Sequence, residues 1–393
     1  MPLVHMADML NHAYRHGYAL GAFNVSNFDF LEGVLNAAES CRAPVILNMP
    51  EAQLQHANAD MLMAATVAGA RRATVPVAIC LDHGHSLQSA VNGIKAGCNA
   101  VMIDASALPL DQNLRSTRAV VEMAHACGVA VEGELGYVPW VTSKGDDKPG
   151  EEIAYTLPAE AKAFVERTGV DCLAVSIGTI HGQLRGTPKL DITRLTKINE
   201  AIGIPLVIHG GTGLTDDQFR KLVAHGVAKI NYYTALTDVA GASIRAQLKD
   251  HPNGTYPELT SGVRDAISHQ LERMIRLWGS GGRAAEVLQQ CRLWQEIDQV
   301  AFYEVPEKMA EDDVAAIMRR GQEALSAIPG IRKVRTGKSM QPDGHYRYCW
   351  IIRFASQEVA DHYRAHPSHL QFVDKALRPI TPELHMIDYV AAA

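Results

Sequence analysis

At 393 residues the chain exceeds one ordinary barrel domain and leaves room for a second, smaller one. Hydrophobic residues make up 47% and charged residues 20%, a balance that suits a globular protein with a substantial buried core rather than a disordered one. A net charge of −6 gives no basis for nucleic-acid binding, and no uninterrupted apolar run approaches the length of a membrane span.

The chain begins MPLVHMADML, without the charged region and apolar stretch of a signal peptide. Its seven cysteines are Cys41, Cys80, Cys98, Cys127, Cys172, Cys291 and Cys349. An odd number without paired spacing favours reduced thiols, and Cys80, Cys98 and Cys172 sit inside apolar runs. The expected location is the cytoplasm.

Strand-like runs then follow at 19–25, 44–49, 76–82, 99–103, 128–134, 171–177, 204–209 and 227–231. Between them lie segments with apolar residues at helical spacing, such as LEGVLNAAES (31–40) and LDQNLRSTRAVVEMAHACG (110–128). Eight β-then-α units joined by right-handed crossovers make an α/β fold, a (β/α)8 TIM barrel, expected over residues 1–285. The repetition is architectural, with no sequence repeat of fixed period. Residues 137–157 break the rhythm: they are polar, contain Pro and Gly, and are long for a βα loop, as functional lids often are.

The composition shifts after GSGGR (279–283). The helix-like AAEVLQQCRLW leads to strand 297–305, helix 311–328, strands 331–338 and 345–354, helix 356–377 and strand 384–390. This βαββαβ order predicts a small α+β, ferredoxin-like domain over 295–393.

Three histidines stand where an apolar run meets a glycine: His83 after VPVAICLD, His181 in CLAVSIGTIHG and His209 in IPLVIHGG. The C-terminal strand ends of a barrel ring its active site. Three neutral imidazoles converging there form an open metal site, of which zinc is the commonest occupant. A lone histidine is more often a satisfied core or loop side chain; three at equivalent strand ends, one directly after Asp82, favour the metal.

The segments AFNVSN (22–27), LDHGHS (81–86), VMIDAS (101–106), VEGELG (131–136), TGVDCLAVSIGTIHG (168–182), PKLD (188–191), IHGGTG (208–213) and GVAKINYYT (226–234) together resemble the class II, metal-dependent ketose-bisphosphate aldolases. WGSGGR (278–283) is similar to the C-terminal signature of the tagatose-bisphosphate branch. The resemblance covers about residues 1–285 and implies an aldehyde-lyase. Such an enzyme reversibly cleaves a ketose 1,6-bisphosphate to dihydroxyacetone phosphate and an aldehyde through a zinc-stabilised enediolate.

Residue by residue, the resemblance implies one catalytic Zn2+ on His83, His181 and His209. Asp104 and Glu134 match acidic positions for an alternate or second divalent or monovalent cation. Asp82 matches the aspartate that exchanges a proton with the aldehyde-derived oxygen; an orienting partner of the first ligand is its other reading. His85 matches no ligand position. Glu132 shares strand parity with Glu134, so both face the interior, and it reads as a buried structural hydrogen bond. The candidate substrate and phosphate positions are Asn24, Gly182, Gly210, Gly211, Thr212, Asn231, Tyr232, Tyr233 and Thr234. Glycine lets backbone N–H groups approach an anion, and the loops after strands seven and eight are the usual barrel phosphate site. Lys189 and Lys229 read as salt-bridged structural lysines.

The departures from the family bear on substrate more than on reaction type. Met49 replaces a Ser or Thr that contacts substrate, Ala105 and Ala107 replace Gly and His, and Tyr233 replaces Ala or Asp. The glutamate that serves the family as base on the loop after strand five has no counterpart at its position. Asp146 or Asp147 is the candidate replacement, followed by Glu151. A singly phosphorylated ketose, an aldolase on another unusual substrate, and a decayed barrel kept for assembly stay open beside the bisphosphate.

HYRAHPSHLQFV (362–373) resembles the YxxHPxH signature of the stress-responsive α/β-barrel family, whose members pair two sheets. That implies a homo-oligomer, a dimer or tetramer. His366 and His369 read either as polar residues at the edge of a helix packed under the sheet or as a metal or catalytic pair.

Overall fold

Eight parallel strands close on themselves in sequence order: β1 Leu20–Asn24, β2 Val45–Pro50, β3 Val77–Gly84, β4 Ala100–Ile103, β5 Ala130–Leu135, β6 Cys172–Val175, β7 Leu206–Ile208 and β8 Val227–Tyr232. The computed structural model describes residues 3–54, 58–141, 152–182, 186–341, 346–381 and 383–391. Nearly every strand residue is buried, as expected where helices cover the outside and side chains fill the inside. Small inward residues such as Ala22, Ala78, Ala100, Ala174 and Ala228 leave space in the barrel, and the helix Met6–His16 closes its bottom with Met6, Met9 and Leu10. Among the described residues no helix is long and apolar enough to cross a membrane.

Four further strands, β9 Ile297–Tyr303, β10 Ile331–Lys338, β11 Tyr348–Phe354 and β12 Leu384–Val390, form an antiparallel sheet in the order β10-β11-β9-β12. With the helix Glu311–Ser326 after β9 and helices after β11, this is the ferredoxin-like arrangement. The expected single helix over 356–377 is broken into Gln357–Tyr363 and Pro367–Phe372, followed by a π-helical turn. Pro367 lacks an N–H and biases His366 toward extended backbone, so the chain restarts there with His366 as N-cap. In β9 and β11 alternate residues are buried: Tyr303, Trp350 and Phe354 lie on the helix-covered face, whereas Val300, Phe302 and Ile351 are half-buried on the other.

The second domain docks at the N-terminal end of the barrel strands. Arg332 donates to the Cys98 carbonyl at 3.2 Å just before β4, and Ser356 Oγ donates to the Cys127 carbonyl at 2.8 Å just before β5. The buried Glu296 carboxylate joins the two domains, with Arg71 at 2.8 Å, Arg332 at 3.2 Å and Arg353 at 3.7 Å. Within one chain the appended domain therefore lies at the end away from the barrel mouth, and among the described residues all those lining the mouth cavity belong to the barrel.

Candidate metal centre and active site

Strand alternation points Asn24, Asn48, Asp82, Glu132, Glu134 and His209 toward the barrel axis near the C-terminal rim. Adjacent residues of a regular strand face opposite ways, yet Asp82 and His83 both line the cavity at the mouth. The cause is local: His83 has φ +48°, and the pairing of β3 with β4 skips between Leu81 and Gly84. A left-handed non-glycine backbone is strained, which fits a functional position.

His209 follows β7 directly. His181 does not end a strand as expected: β6 stops at Val175, and His181 sits six positions further on in the loop. Its ring is held there by a backbone bridge to Trp140, by the Val138 carbonyl accepting from Nδ1 at 3.1 Å, and by the Trp140 ring stacked at 4.2 Å.

The three imidazoles converge. His209 Nδ1 lies 3.0 Å from His83 Nε2 and 3.5 Å from His181 Nε2. Each outer nitrogen has an acceptor: Asp104 Oδ2 at 2.7 Å for His83 and Glu132 Oε1 at 2.9 Å for His209, beside the Val138 carbonyl for His181. These partners fix the tautomers so that all three inner nitrogens offer lone pairs to one point. Tetrahedral zinc at about 2.0–2.1 Å from each nitrogen separates its ligands by about 3.4 Å, so the donor set fits a divalent ion.

Without an ion, the rings suppress one another's protonation unevenly. Burial and the neighbouring imidazoles push His181 well down, and burial lowers His209. Burial also pulls on His83, but Asp82, Asp104 and Glu134 overcome it and raise its pKa to about 9. Asp104, despite burial, is held well below the carboxylate range by His83 and Ser106. Glu134 is pushed up to about 8 by burial and by the Asp104 charge, so it is protonated at neutral pH. Ligand atoms of His83, Asp104 and Glu134 lie within 4.8 Å of one another, close enough to hold a cation together. In this arrangement Asp104 spends Oδ2 on His83 and Oδ1 on Ser106, which orients the His83 ring.

Asp82 is buried and accepts from Asn231 Nδ2 at 3.0 Å. The cavity above has a volume of about 390 Å³. Asn24, Gly182, Gly210, Gly211, Thr212, Asn231, Tyr232, Tyr233 and Thr234 all line it, as expected from the sequence. Gly210 has φ +69°, and a Cβ there would stand 1.9 Å from the Ile180 carbonyl oxygen, so no other residue fits. The helix Thr234–Asp250 begins at this glycine corner and presents its N-terminal end to it.

Met49 does not reach this cavity. On β2 it faces outward against Thr66, whose hydroxyl lies 3.8 Å from its sulfur, and Pro50, Glu51, Ala52 and Gln53 line the mouth instead. Asp146, Asp147 and Glu151 lie outside the described residues. His85 donates its backbone N–H to Glu51. His366 caps a helix through Ser368 N, while His369 donates to the Arg364 carbonyl and packs on Tyr363 at 4.2 Å. Among the described residues no metal-binding group includes either.

Sequence reading missed the wider roles of Glu132 and Lys229. Both are fully buried beneath the histidines, with Lys229 Nζ 2.7 Å from Glu132 Oε2 and 2.7 Å from Asn231 Oδ1. Burial would raise Glu132, but Lys229 and His209 hold it at about 2. A charged residue of each sign inside apolar strands, VEGEL and VAKIN, was the available signal. Trp140, 58% exposed over His181, and the Glu51–Gln53 rim carried none.

A family model described as fructose-bisphosphate aldolase class-II matches residues 4–283, and one for a stress responsive A/B barrel domain matches 297–391. The chain is 41% identical over 290 residues to the fructose-bisphosphate aldolase of Geobacillus stearothermophilus, covering 73% of this chain and all of that protein. It is 40% identical over 288 residues to the probable fructose-bisphosphate aldolase of Bacillus subtilis strain 168, covering 72% and 100%. Among solved structures, the YdjI aldolase of Escherichia coli K12 superposes with a TM-score of 0.64 at 34% identity, covering 72% of this chain and 99% of that one.

Proposed function

The chain belongs to the class-II fructose-bisphosphate aldolase family, and from that premise we propose that this aldolase cleaves a phosphorylated ketose to dihydroxyacetone phosphate and an aldehyde. His83, His181 and His209 are the ligands of a zinc ion. That ion would polarise the ketone and balance the negative charge left on the ketone fragment when the carbon–carbon bond breaks. The observation that carries this reading is the convergence of three imidazole nitrogens, each backed by an acceptor, beside the buried carboxylate of Asp82.

The other steps fall to the chain's own groups. The Gly210–Thr212 turn and the start of the helix at Thr234 bind the phosphate of the ketone fragment through backbone N–H groups. Asp82, held by Asn231, takes the hydroxyl proton of the aldehyde half during cleavage and returns it in the reverse reaction. Asn231 itself is fixed from behind by Lys229, so the carboxylate keeps its direction. Asp104 and Glu132 keep their histidines in one tautomer.

The test is a panel of phosphorylated ketoses assayed with zinc supplied for release of dihydroxyacetone phosphate. Release abolished by chelation and restored by zinc supports the assignment. No release from any ketose by zinc-loaded protein would favour a barrel kept for assembly.

A further inference from the structure

The three imidazoles are not held alike. His83 and His209 each turn an outer nitrogen to a carboxylate, Asp104 Oδ2 at 2.7 Å and Glu132 Oε1 at 2.9 Å, and His209 directly follows its strand. His181 stands in a loop, and its Nδ1 donates to the neutral carbonyl of Val138 at 3.1 Å. A neutral acceptor holds an imidazole more weakly than a carboxylate does. The segment that leaves β5 makes up the difference. Pro139 has its φ fixed by its ring and biases Val138 toward extended backbone. Its carbonyl accepts from His181 N at 2.9 Å, and Val141 N donates to the His181 carbonyl at 3.0 Å. This short parallel bridge lays the Trp140 indole flat on the His181 ring, with centroids 4.2 Å and planes 22° apart. The indole also stands 6.3 Å from the His83 ring and lines the mouth cavity. The bond to Val138 selects the tautomer with its lone pair on Nε2, and the stacked indole fixes the plane in which that lone pair points.

Resting on the zinc assignment above, we propose that Trp140 is the positioning residue of the third ligand, and that its flat indole sets how firmly His181 holds the ion. Stacked rings favour an offset, near-parallel contact, so tilting the imidazole away from its aim sacrifices that contact. With a neutral hydrogen bond and no ring against its face, the imidazole turns more freely about Cβ–Cγ, a broad torsion. The site then keeps two well-aimed ligands instead of three. Loss of such outer support costs metal sites about 10- to 100-fold in affinity. The effect appears in the rate of release, because His83 and His209, backed by carboxylates, still capture the ion. Trp140 is 58% exposed, so removing its ring opens no hole in the core and the barrel stays folded.

The experiment loads the full-length protein and its Trp140→Phe, Trp140→Leu and Trp140→Ala variants with zinc, then follows transfer of the ion to a chromogenic chelator. The first variant keeps a flat ring, the second keeps apolar bulk without one, and the third keeps neither. Trp140→Phe should release zinc at close to the wild-type rate. Trp140→Leu and Trp140→Ala should release it faster by about tenfold or more. A second reading needs no activity either: Co2+ supplied in place of zinc gives a visible spectrum that reports the geometry of its ligands. That spectrum should be shared by wild type and Trp140→Phe and altered in the other two. Recovery with a flat ring and not with leucine separates positioning from mere cover, and this pair carries the test if Trp140→Ala fails to fold. Equal release rates and spectra in all the proteins, or Trp140→Leu matching Trp140→Phe, overturn the inference and leave the zinc site standing. A wild-type protein that binds neither zinc nor Co2+ defeats the metal assignment and the inference with it.

Discussion

Lys229 and Glu132 form an ion pair 2.7 Å long with both side chains fully buried, and the same carboxylate holds His209 at 2.9 Å. Desolvating two charges is costly, and replacing such a pair by apolar residues is often neutral for stability. What the pair secures here is position: it fixes the tautomer of one proposed ligand and, through Asn231, the direction of Asp82.

Lys229→Met should therefore cost about 3–5 kcal/mol, the usual loss when one partner of a buried pair is removed. Glu132→Gln should lower metal affinity by about 10- to 100-fold, as loss of an outer partner does. Urea unfolding and competition with a chromogenic chelator read the two effects. The pH sign follows from the carboxyl's lowered pKa of about 2. Its stabilising contribution is complete above the ordinary glutamate range and is lost as pH falls toward 2. In Glu132→Gln that acid sensitivity should shrink.

Purified protein should carry about one tightly held divalent ion per chain, zinc by the ligand set. His181→Ala and His209→Ala should remove both the ion and the lyase activity while circular dichroism stays that of the wild type. Elemental analysis of the dialysed proteins measures the first effect. Full activity in chelator-treated, metal-free protein would sink the zinc assignment.

Much of this architecture was legible because buried parallel strands leave continuous apolar runs, and all eight observed strands fall within a few residues of those runs. His83 and His209 could be placed for the same reason, each closing such a run. His181 could not: the run CLAVSIGTIHG continues past the last paired residue, and only the loop's contact with Trp140 puts the ring at the centre. Met49 misled because a one-residue change of parity moves a side chain from the barrel interior to its outside. The break at Pro367 was readable from proline's missing N–H but was outweighed by helical spacing on both sides. Nothing in a linear pattern says which end of the barrel receives the second domain, since Glu296 meets Arg71 across 225 positions.

Glu296→Ala should loosen that docking. It leaves the buried Arg332 and the partly buried Arg71 and Arg353 without their common carboxylate. Limited proteolysis should then cut at the 291–297 junction faster than in the wild type. Aldol cleavage should be unchanged, because the docking surface lies at the end of the barrel opposite the mouth. Equal loss of cleavage and of docking would mean that the two ends are coupled.

The half-buried sheet face bearing Val300, Phe302 and Ile351 needs cover that this chain does not supply from its helices. An even-numbered homo-oligomer should form by pairing two such faces. Light scattering at micromolar concentration should give at least twice the chain mass. Phe302→Asp should lower that mass while leaving the barrel's helical signal intact, and a monomeric wild type would contradict the pairing.

The group that moves the proton at the ketone-side carbon must be a carboxylate or imidazole not already committed. At the described site, Asp82 already serves the hydroxyl proton of the aldehyde half, and Asp104 is bonded to His83 and Ser106. The stretch that follows β5 in the sequence offers further carboxylates, Asp146 and Asp147 and then Glu151. A loop carboxylate suits the role, because contact with bound substrate removes water from it and draws its pKa toward the working range. Zinc-loaded protein should exchange the corresponding proton of dihydroxyacetone phosphate with deuterated water, followed by NMR. One of Asp146→Ala, Asp147→Ala or Glu151→Ala should slow that exchange by about a hundredfold or more, the usual effect of losing a general base. Metal content should be unchanged in that variant, which separates proton transfer from ion binding. If all three variants exchange at the wild-type rate, the base lies elsewhere and the loop assignment is wrong.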